Sequence, residues 1–172
     1  MELDIVAQLM ALSARTAPKT RGEDFIELKI LPKGERERLG RAMIEFGERQ
    51  NDKKFVRDGN NVVGSDSLLL IGLGEHGSAG TNCNGCGFMS CGGFDEQEKK
   101  EGIFGGPNCA MRLIDLGIAI GSAVKMASLL NADNRIMFRA GAMARSEGMM
   151  ESEVVIGIPI SATGKSIYFD RG

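Results

Sequence analysis

Four cysteines spaced Cys83-x2-Cys86-x4-Cys91-x17-Cys109 constrain this chain more than any other feature. Three fall within "TNCNGCGFMSCGGF" and the fourth in "GGPNCAM". Disulfides, a zinc cage or an iron–sulfur cluster could account for them. Disulfides need an oxidising compartment. The N-terminal "MELDIVAQLMALSAR", acidic at its start and without a small-residue cleavage site, does not read as a secretory signal. Structural zinc usually takes two paired knuckles, and here the second pair is missing because Cys91 and Cys109 stand far apart. Three clustered thiols and one remote thiol match an iron–sulfur site, where a short loop wraps three corners and a distant element supplies the fourth. The spacing favours iron–sulfur and leaves zinc open.

The neighbours of the cysteines fit that chemistry. Gly85, Gly87, Gly92 and Gly93 flank the thiols, and with no Cβ they let backbone amides turn toward cluster sulfides. Cys109 is expected where a long helix begins, and the positive end of that helix favours an anionic group. His76, the only histidine, is expected to be an exposed loop residue, with cluster ligation the minor alternative. Asp115 is expected to complement the dipole at the start of the long helix.

Length and charge narrow the rest. The 172 residues suit a single domain, 1–172, with 81–109 as an inserted cluster loop. The 21 basic residues nearly balance the 23 acidic ones, so the net charge of -2 gives no reason to expect nucleic acid or an anionic membrane. The apolar run from Leu113 to Leu130 is interrupted by Asp115 and Lys125 and diluted by Gly117, Gly121 and Ser122. It reads as a buried helix of a soluble protein rather than a membrane span, which places the chain in the cytoplasm.

Periodicity supplies the elements. Leu3, Val6, Leu9, Met10 and Leu12 form a helical stripe that Pro18 ends. "FIELKIL" reads as a strand, Glu35 to Gln50 as an amphipathic helix, and "SLLLIGL" as a short buried strand. The charge run "DEQEKKEG" reads as a solvated turn or short helix. Ala110 to Leu130 forms the long helix, with Ala119, Ala123 and Ala127 as a ridge for close packing. "NRIMFRAG" and "VVIGIPI" read as strands around a short helix, "AMARSEG". "SATGKS" lacks the spacing of a phosphate loop and reads as a surface turn. The order implies a layered α/β or α+β domain.

The cysteine loop resembles the [4Fe–4S] motif "CGxCGxxxCxxF … C" of the B subunit of Rnf electron-transport complexes and of corrinoid iron–sulfur proteins, with Phe94 at its last aromatic position. Over the whole chain, "ARTAPKTRG", "GPNCAMRLIDLGIAIGSAVKMA", "DNRIMF" and "GIPISATGKSIYFDRG" resemble a family of uncharacterised ferredoxin domain-containing proteins of archaea and anaerobic bacteria. That resemblance implies a cluster held by Cys83, Cys86, Cys91 and Cys109, and no particular reaction.

"LMALSARTAPKTRGEDFIELKIL", "IDLGIAIGSAVKMASLLN" and "VVIGIPISATGKS" are more distantly similar to segments of the nitroreductase fold. Those enzymes are homodimers with FMN at the subunit interface. The likeness implies a nitroreductase-like sheet with helices, and makes Arg15, Lys19, Arg21 and Lys165 candidates for contacts to FMN. Where nitroreductases continue "N-x-Q-P-W" after the turn, this chain has Gly22 to Ile26 without Asn, Gln or Trp. Two functions follow as expectations. The first is a [4Fe–4S] protein passing electrons to a redox partner protein. The second is an FMN-dependent oxidoreductase, a homodimer whose cluster feeds the flavin. A merely structural cluster, or zinc, stands behind both. No acid–base or nucleophilic constellation is visible.

Overall fold

The structure, a computed structural model, describes residues 3–169. In chain order it contains α1 (Asp4–Thr16), a 3-10 turn (Thr20–Gly22), β1 (Ile26–Ile30), α2 (Lys33–Gln50), α3 (Lys53–Val63) and β2 (Ser67–Leu73). After these come α4 (Cys91–Asp95), α5 (Ala110–Leu129), β3 (Asp133–Asn134), α6 (Phe138–Ser146) and β4 (Val154–Ser161). The strands form one antiparallel sheet in the order β1-β2-β4-β3.

The sequence of β2 dictates the layering. All seven of its residues are buried, as in a strand covered on both faces. Because alternate side chains point to opposite faces, Leu69, Ile71 and Leu73 join α1 and α5 in one core, with Ala7, Met10, Ala119, Ala123 and Ala127. Leu68 and Leu70 join α2, α3 and α6 in the other, with Leu39, Met43, Val62 and Ala140. The result is a three-layer sandwich of helices, sheet and helices. The alanine ridge of α5 lies fully buried against this core, as its spacing predicts.

Close backbone approach sets two further contacts. A Cβ on Gly141 of α6 would stand 1.8 Å from the Val155 carbonyl oxygen, so this helix rests directly on β4. Gly40 of α2 and Gly59 of α3 face each other in the same way, each lacking room for a methyl against the other's carbonyl.

Three elements differ from the sequence expectation. The polar stretch "KKFVRDGNNVV" forms α3, whose start is capped by the Asp52 side chain accepting the Lys54 N–H at 2.8 Å. The strand expected over "NRIMFRAG" shrinks to Asp133–Asn134 and one bridge from Met137 to Gly157, since Phe138 already begins α6. α5 is not buried all round: Ile114, Gly117, Ile118, Gly121 and Leu129 on its outer side are exposed. No helix among the described residues is long and apolar enough to cross a membrane.

The register places one end of the sheet at Ile26, Leu73 and Val154. The residues that precede β1, follow β2 and precede β4 therefore gather there.

Candidate metal centre

From Leu73 to Ala110 the chain runs largely without regular structure over that end of the sheet, and α4 is its one short helix. Asn82, Asn84 and Gly87 adopt positive φ values of 47°, 57° and 87°. Asn and Gly tolerate this region best, and the Gly87 N–H closes the turn by donating to the Asn84 carbonyl at 3.0 Å. This turn presents Cys83 and Cys86 from neighbouring positions. Ser90 then caps α4, its hydroxyl accepting the Gly93 N–H at 3.1 Å, and sets Cys91 at the helix start.

Backbone and hydroxyl donors surround the outer thiols. The Asn82 N–H donates to Cys91 Sγ at 3.3 Å. The Thr81 hydroxyl and the Gly85 N–H pull the Cys83 thiol below its ordinary pKa. The Asn82 N–H, followed by the Ser78 hydroxyl, does the same for Cys91. Donors that favour a thiolate also favour a thiolate bound to metal.

Cys109 differs from the others. It is buried immediately before α5 and packs with Ala79 and Phe94, against Cys86, Phe88 and Met111. The rings of Phe88 and Phe94 meet edge to face at 5.8 Å. Gly85 ties the exposed turn to this interior: a Cβ there would lie 3.0 Å from the Ala110 Cβ and 3.5 Å from Cys83 Sγ. All four cysteines are free thiols. Among the described residues no three His, Cys, Asp or Glu side chains are drawn into ligand geometry. The donor set nonetheless fits an iron–sulfur cluster chemically, with four thiols around one loop, two of them acidified by N–H and O–H donors and one shielded by aromatic rings.

His76 is not the exposed loop residue that its sequence context suggests. Its side chain is fully buried: Nδ1 lies 2.9 Å from the Gly74 carbonyl oxygen and 3.1 Å from Glu153 Oε2, and Nε2 accepts the Cys109 N–H at 3.2 Å. Burial pushes the imidazole pKa down, against the raising pull of the Gly74 carbonyl and Glu153. Lys99 Nζ donates to the same Glu153 oxygen at 2.6 Å.

Asp115 also does more than complement the helix dipole. It is buried, its Oδ1 accepts both the N–H and the hydroxyl of Thr20 at 2.8 Å, and its Oδ2 lies 3.4 Å from Arg112 Nη1. Arg112, one turn after Cys109, lies over the Phe25 ring at 4.6 Å, pairs with Glu23 and donates to the Thr20 carbonyl at 2.9 Å. These contacts clamp the start of α5 to the segment before β1. Apart from His76 and Asp115, nothing in sequence marked this set; an arginine and an aspartate three apart on an otherwise apolar helix were the available signal.

The four basic residues considered for FMN divide into two places. Arg15 donates to Asp24 at 2.6 Å and to the Ile26 carbonyl at 2.7 Å. Lys19 Nζ turns back on α1, donating to the carbonyls of Ala14, Arg15 and Ala17. Arg21, at φ 60°, reaches the Ala79 carbonyl at 3.3 Å. These three surround the turn at Pro18, beside the cysteine segment. Lys165 follows β4, whose Ile160 pairs with Ser67 at the opposite end of the sheet. One chain does not bring it to the other three.

The architecture is that of the nitroreductase-like fold. The chain superposes on a nitroreductase with bound FMN from Desulfitobacterium hafniense with a TM-score of 0.60 at 12% identity, covering 96% of this chain and 82% of that one. It superposes on the FMN-dependent nitroreductase NfnB from Mycobacterium smegmatis, solved in complex with NADPH, with a TM-score of 0.59 at 11% identity, covering 96% and 81%. NfrA1 of B. megaterium gives a TM-score of 0.59 at 10% identity, and this chain spans only 59% of its length.

Residues 105–171 match the model of a family described as uncharacterized protein containing a ferredoxin domain (DUF2148), a span that includes Cys109 and begins after the other three cysteines. An uncharacterized protein of Archaeoglobus fulgidus is 50% identical over 167 residues, covering 97% of this chain and 90% of that protein. The chain belongs to this ferredoxin domain-containing family. The family's description names a ferredoxin domain, and the likeness to the solved nitroreductases is a likeness of fold.

Proposed function

We propose that the chain is a [4Fe–4S] protein that passes single electrons to and from a redox partner protein, with Cys83, Cys86, Cys91 and Cys109 as ligands. The observation that carries this reading is the pairing of an exposed, donor-rich turn holding three thiols with a fourth, buried thiol at the start of α5. A bound cluster supplies one-electron transfer. The chain's own groups do the rest. The N–H and O–H donors beside Cys83 and Cys91 lower both thiol pKa values and so favour the thiolate form that binds metal. Phe88 and Phe94 keep water from Cys109. The exposed turn around Met89 gives a partner a short path to the site. On this reading residues 1–172 form one cytoplasmic domain, with 81–109 as its cluster loop. The exposed apolar side of α5 is the surface on which a homodimer would form.

A second reading has the same cluster feeding FMN in a nitroreductase-like homodimer. It is supported by the fold and by the grouping of Arg15, Lys19 and Arg21 beside the cysteine segment. Against it, Lys19 is committed to the carbonyls that end α1 and Lys165 lies at the far end of the sheet.

Protein purified without oxygen and assayed for iron, sulfide and flavin, with absorbance taken before and after dithionite, separates these readings. Four irons per chain, a band that bleaches and no flavin are expected. Stoichiometric FMN on the same sample would favour the second reading. A colourless protein loaded with zinc would overturn both.

A further inference from the structure

Of the four thiols only Cys109 is buried, and its backbone N–H is already engaged by His76 Nε2 at 3.2 Å. The hydrogen-bond partners fix the tautomer. Nδ1 faces two acceptors, the Gly74 carbonyl at 2.9 Å and Glu153 Oε2 at 3.1 Å, so it carries the ring proton. Nε2 then offers its lone pair to the amide. Glu153 is itself anchored. Lys99 Nζ donates to its carboxylate at 2.6 Å, its N–H donates to the Leu73 carbonyl at 2.8 Å, and its carbonyl accepts the Gly105 N–H at 2.9 Å. The contacts run unbroken from the last residue of β2, through a carboxylate and an imidazole, to the residue that precedes α5.

A cavity of about 550 Å³ is walled by Phe25, His76, Phe94 and Pro107, with Lys99 on its lining. Cys109 does not line it, while His76, which holds the Cys109 N–H, and Phe94, which packs with Cys109, both do.

We propose that His76 is a positioning residue for the fourth cluster thiolate: as the Nδ1–H tautomer it occupies the Cys109 N–H, and its ring keeps cavity water from that sulfur. The inference rests on reading the four cysteines as cluster ligands. Both effects act in one direction. An amide or a water that donates to a cluster sulfur stabilises the reduced, more negative state. Withholding both donors keeps the reduction potential low. His76 cannot also be a ligand in this arrangement, because one ring nitrogen holds the proton and the other holds the amide.

The test compares wild type with His76→Gln, His76→Leu and His76→Ala, each reconstituted anaerobically with iron and sulfide. Gln retains an acceptor, Leu retains the bulk alone, and Ala retains neither. Potentiometric titration should give midpoint potentials that rise from wild type and H76Q, through H76L, to H76A, and the reduced-state EPR signal should change in the same order. In the metal-free proteins, iodoacetamide should alkylate Cys109 about tenfold faster in H76L than in wild type, on the scale of one lost hydrogen bond. If H76A does not fold, the H76L and H76Q pair decides. An H76L protein with wild-type potential, EPR signal and Cys109 reactivity overturns this inference and leaves the cluster assignment standing. A wild-type protein that takes up no iron and sulfide overturns both.

Discussion

Asn82 and Cys91 hold each other by two reciprocal contacts: the Asn82 N–H donates to Cys91 Sγ at 3.3 Å, and Asn82 Oδ1 accepts the Cys91 N–H at 2.8 Å. The pair closes the nine-residue segment that carries three thiols. Asn82 does so at φ 47°, where asparagine is better tolerated than other residues with a Cβ.

Replacing Asn82 therefore tests the loop without touching a cysteine. Asn82→Ala removes the side-chain acceptor and adds strain at a positive φ, while Asn82→Gly removes only the acceptor. Anaerobic reconstitution should yield fewer irons per chain in the order wild type, N82G, N82A. Full and equal iron content in all three would show that the loop closes without this pair.

Arg112 carries the clearest prediction for stability. It is buried, and its removal leaves the equally buried Asp115 without its ion-pair partner. Breaking such a pair from one side costs on the order of 3–5 kcal/mol. Arg112→Met should lower the unfolding free energy measured by urea denaturation by that much, and Arg112→Met combined with Asp115→Asn should recover part of the loss. Losses that simply add would mean the two side chains do not act as a pair.

Two glycines on different helices should respond in opposite ways to the same methyl group. Gly141→Ala drives a Cβ into the Val155 carbonyl and should destabilise by about 3 kcal/mol, the upper end for overpacking. Gly117→Ala on α5 meets nothing within 4 Å and should stabilise an isolated chain by about 0.5–1 kcal/mol, the helix preference of Ala over Gly. If α5 pairs with a second copy, sedimentation of G117A should instead show a weakened dimer.

Asp24 links stability to acid. Burial works against its charge, but hydrogen bonds from Arg15 and the Ile26 N–H, with the nearby charges of Arg15 and Lys19, leave its pKa lowered. A carboxyl depressed in the folded state contributes stability above its unfolded pKa of about 3.9 and loses that contribution as pH falls through its folded value. Asp24→Asn should be less stable than wild type at pH 6, and the gap should narrow as pH falls below the unfolded value of about 3.9. A gap that does not change with pH would assign the difference to packing.

The helices and strands with clean periodicity were readable from sequence. The Leu68 to Leu73 run read as a short buried strand, and the alanine ridge of α5 as a place for close packing, and both are buried as expected. α3 was hidden because its apolar positions, Phe55, Val56, Gly59 and Val62, are diluted by charged and amide side chains that read as loop. The four cysteines gave the expectation of a metal centre by their spacing. The polar groups beneath them did not, because His76 meets Cys109 across 33 positions and Glu153 from farther still. A single sequence carries no signal for a pair so remote. The same holds for Thr20 and Asp115, which meet across 95 positions.

The clamp from His76 to Cys109 also makes the intervening chain a closed ring whose two ends are fixed to the sheet. Within it, residues 95–103 are exposed. The entropy of closing such a ring rises slowly, by about 0.6 kcal/mol for each doubling of its length. Away from Lys99, whose Nζ holds Glu153, residues could therefore be added or removed at this rim with little cost to the layers beneath. A change at this rim would alter the exposed surface of the ring while the buried contact of His76 with Cys109 stays as it is.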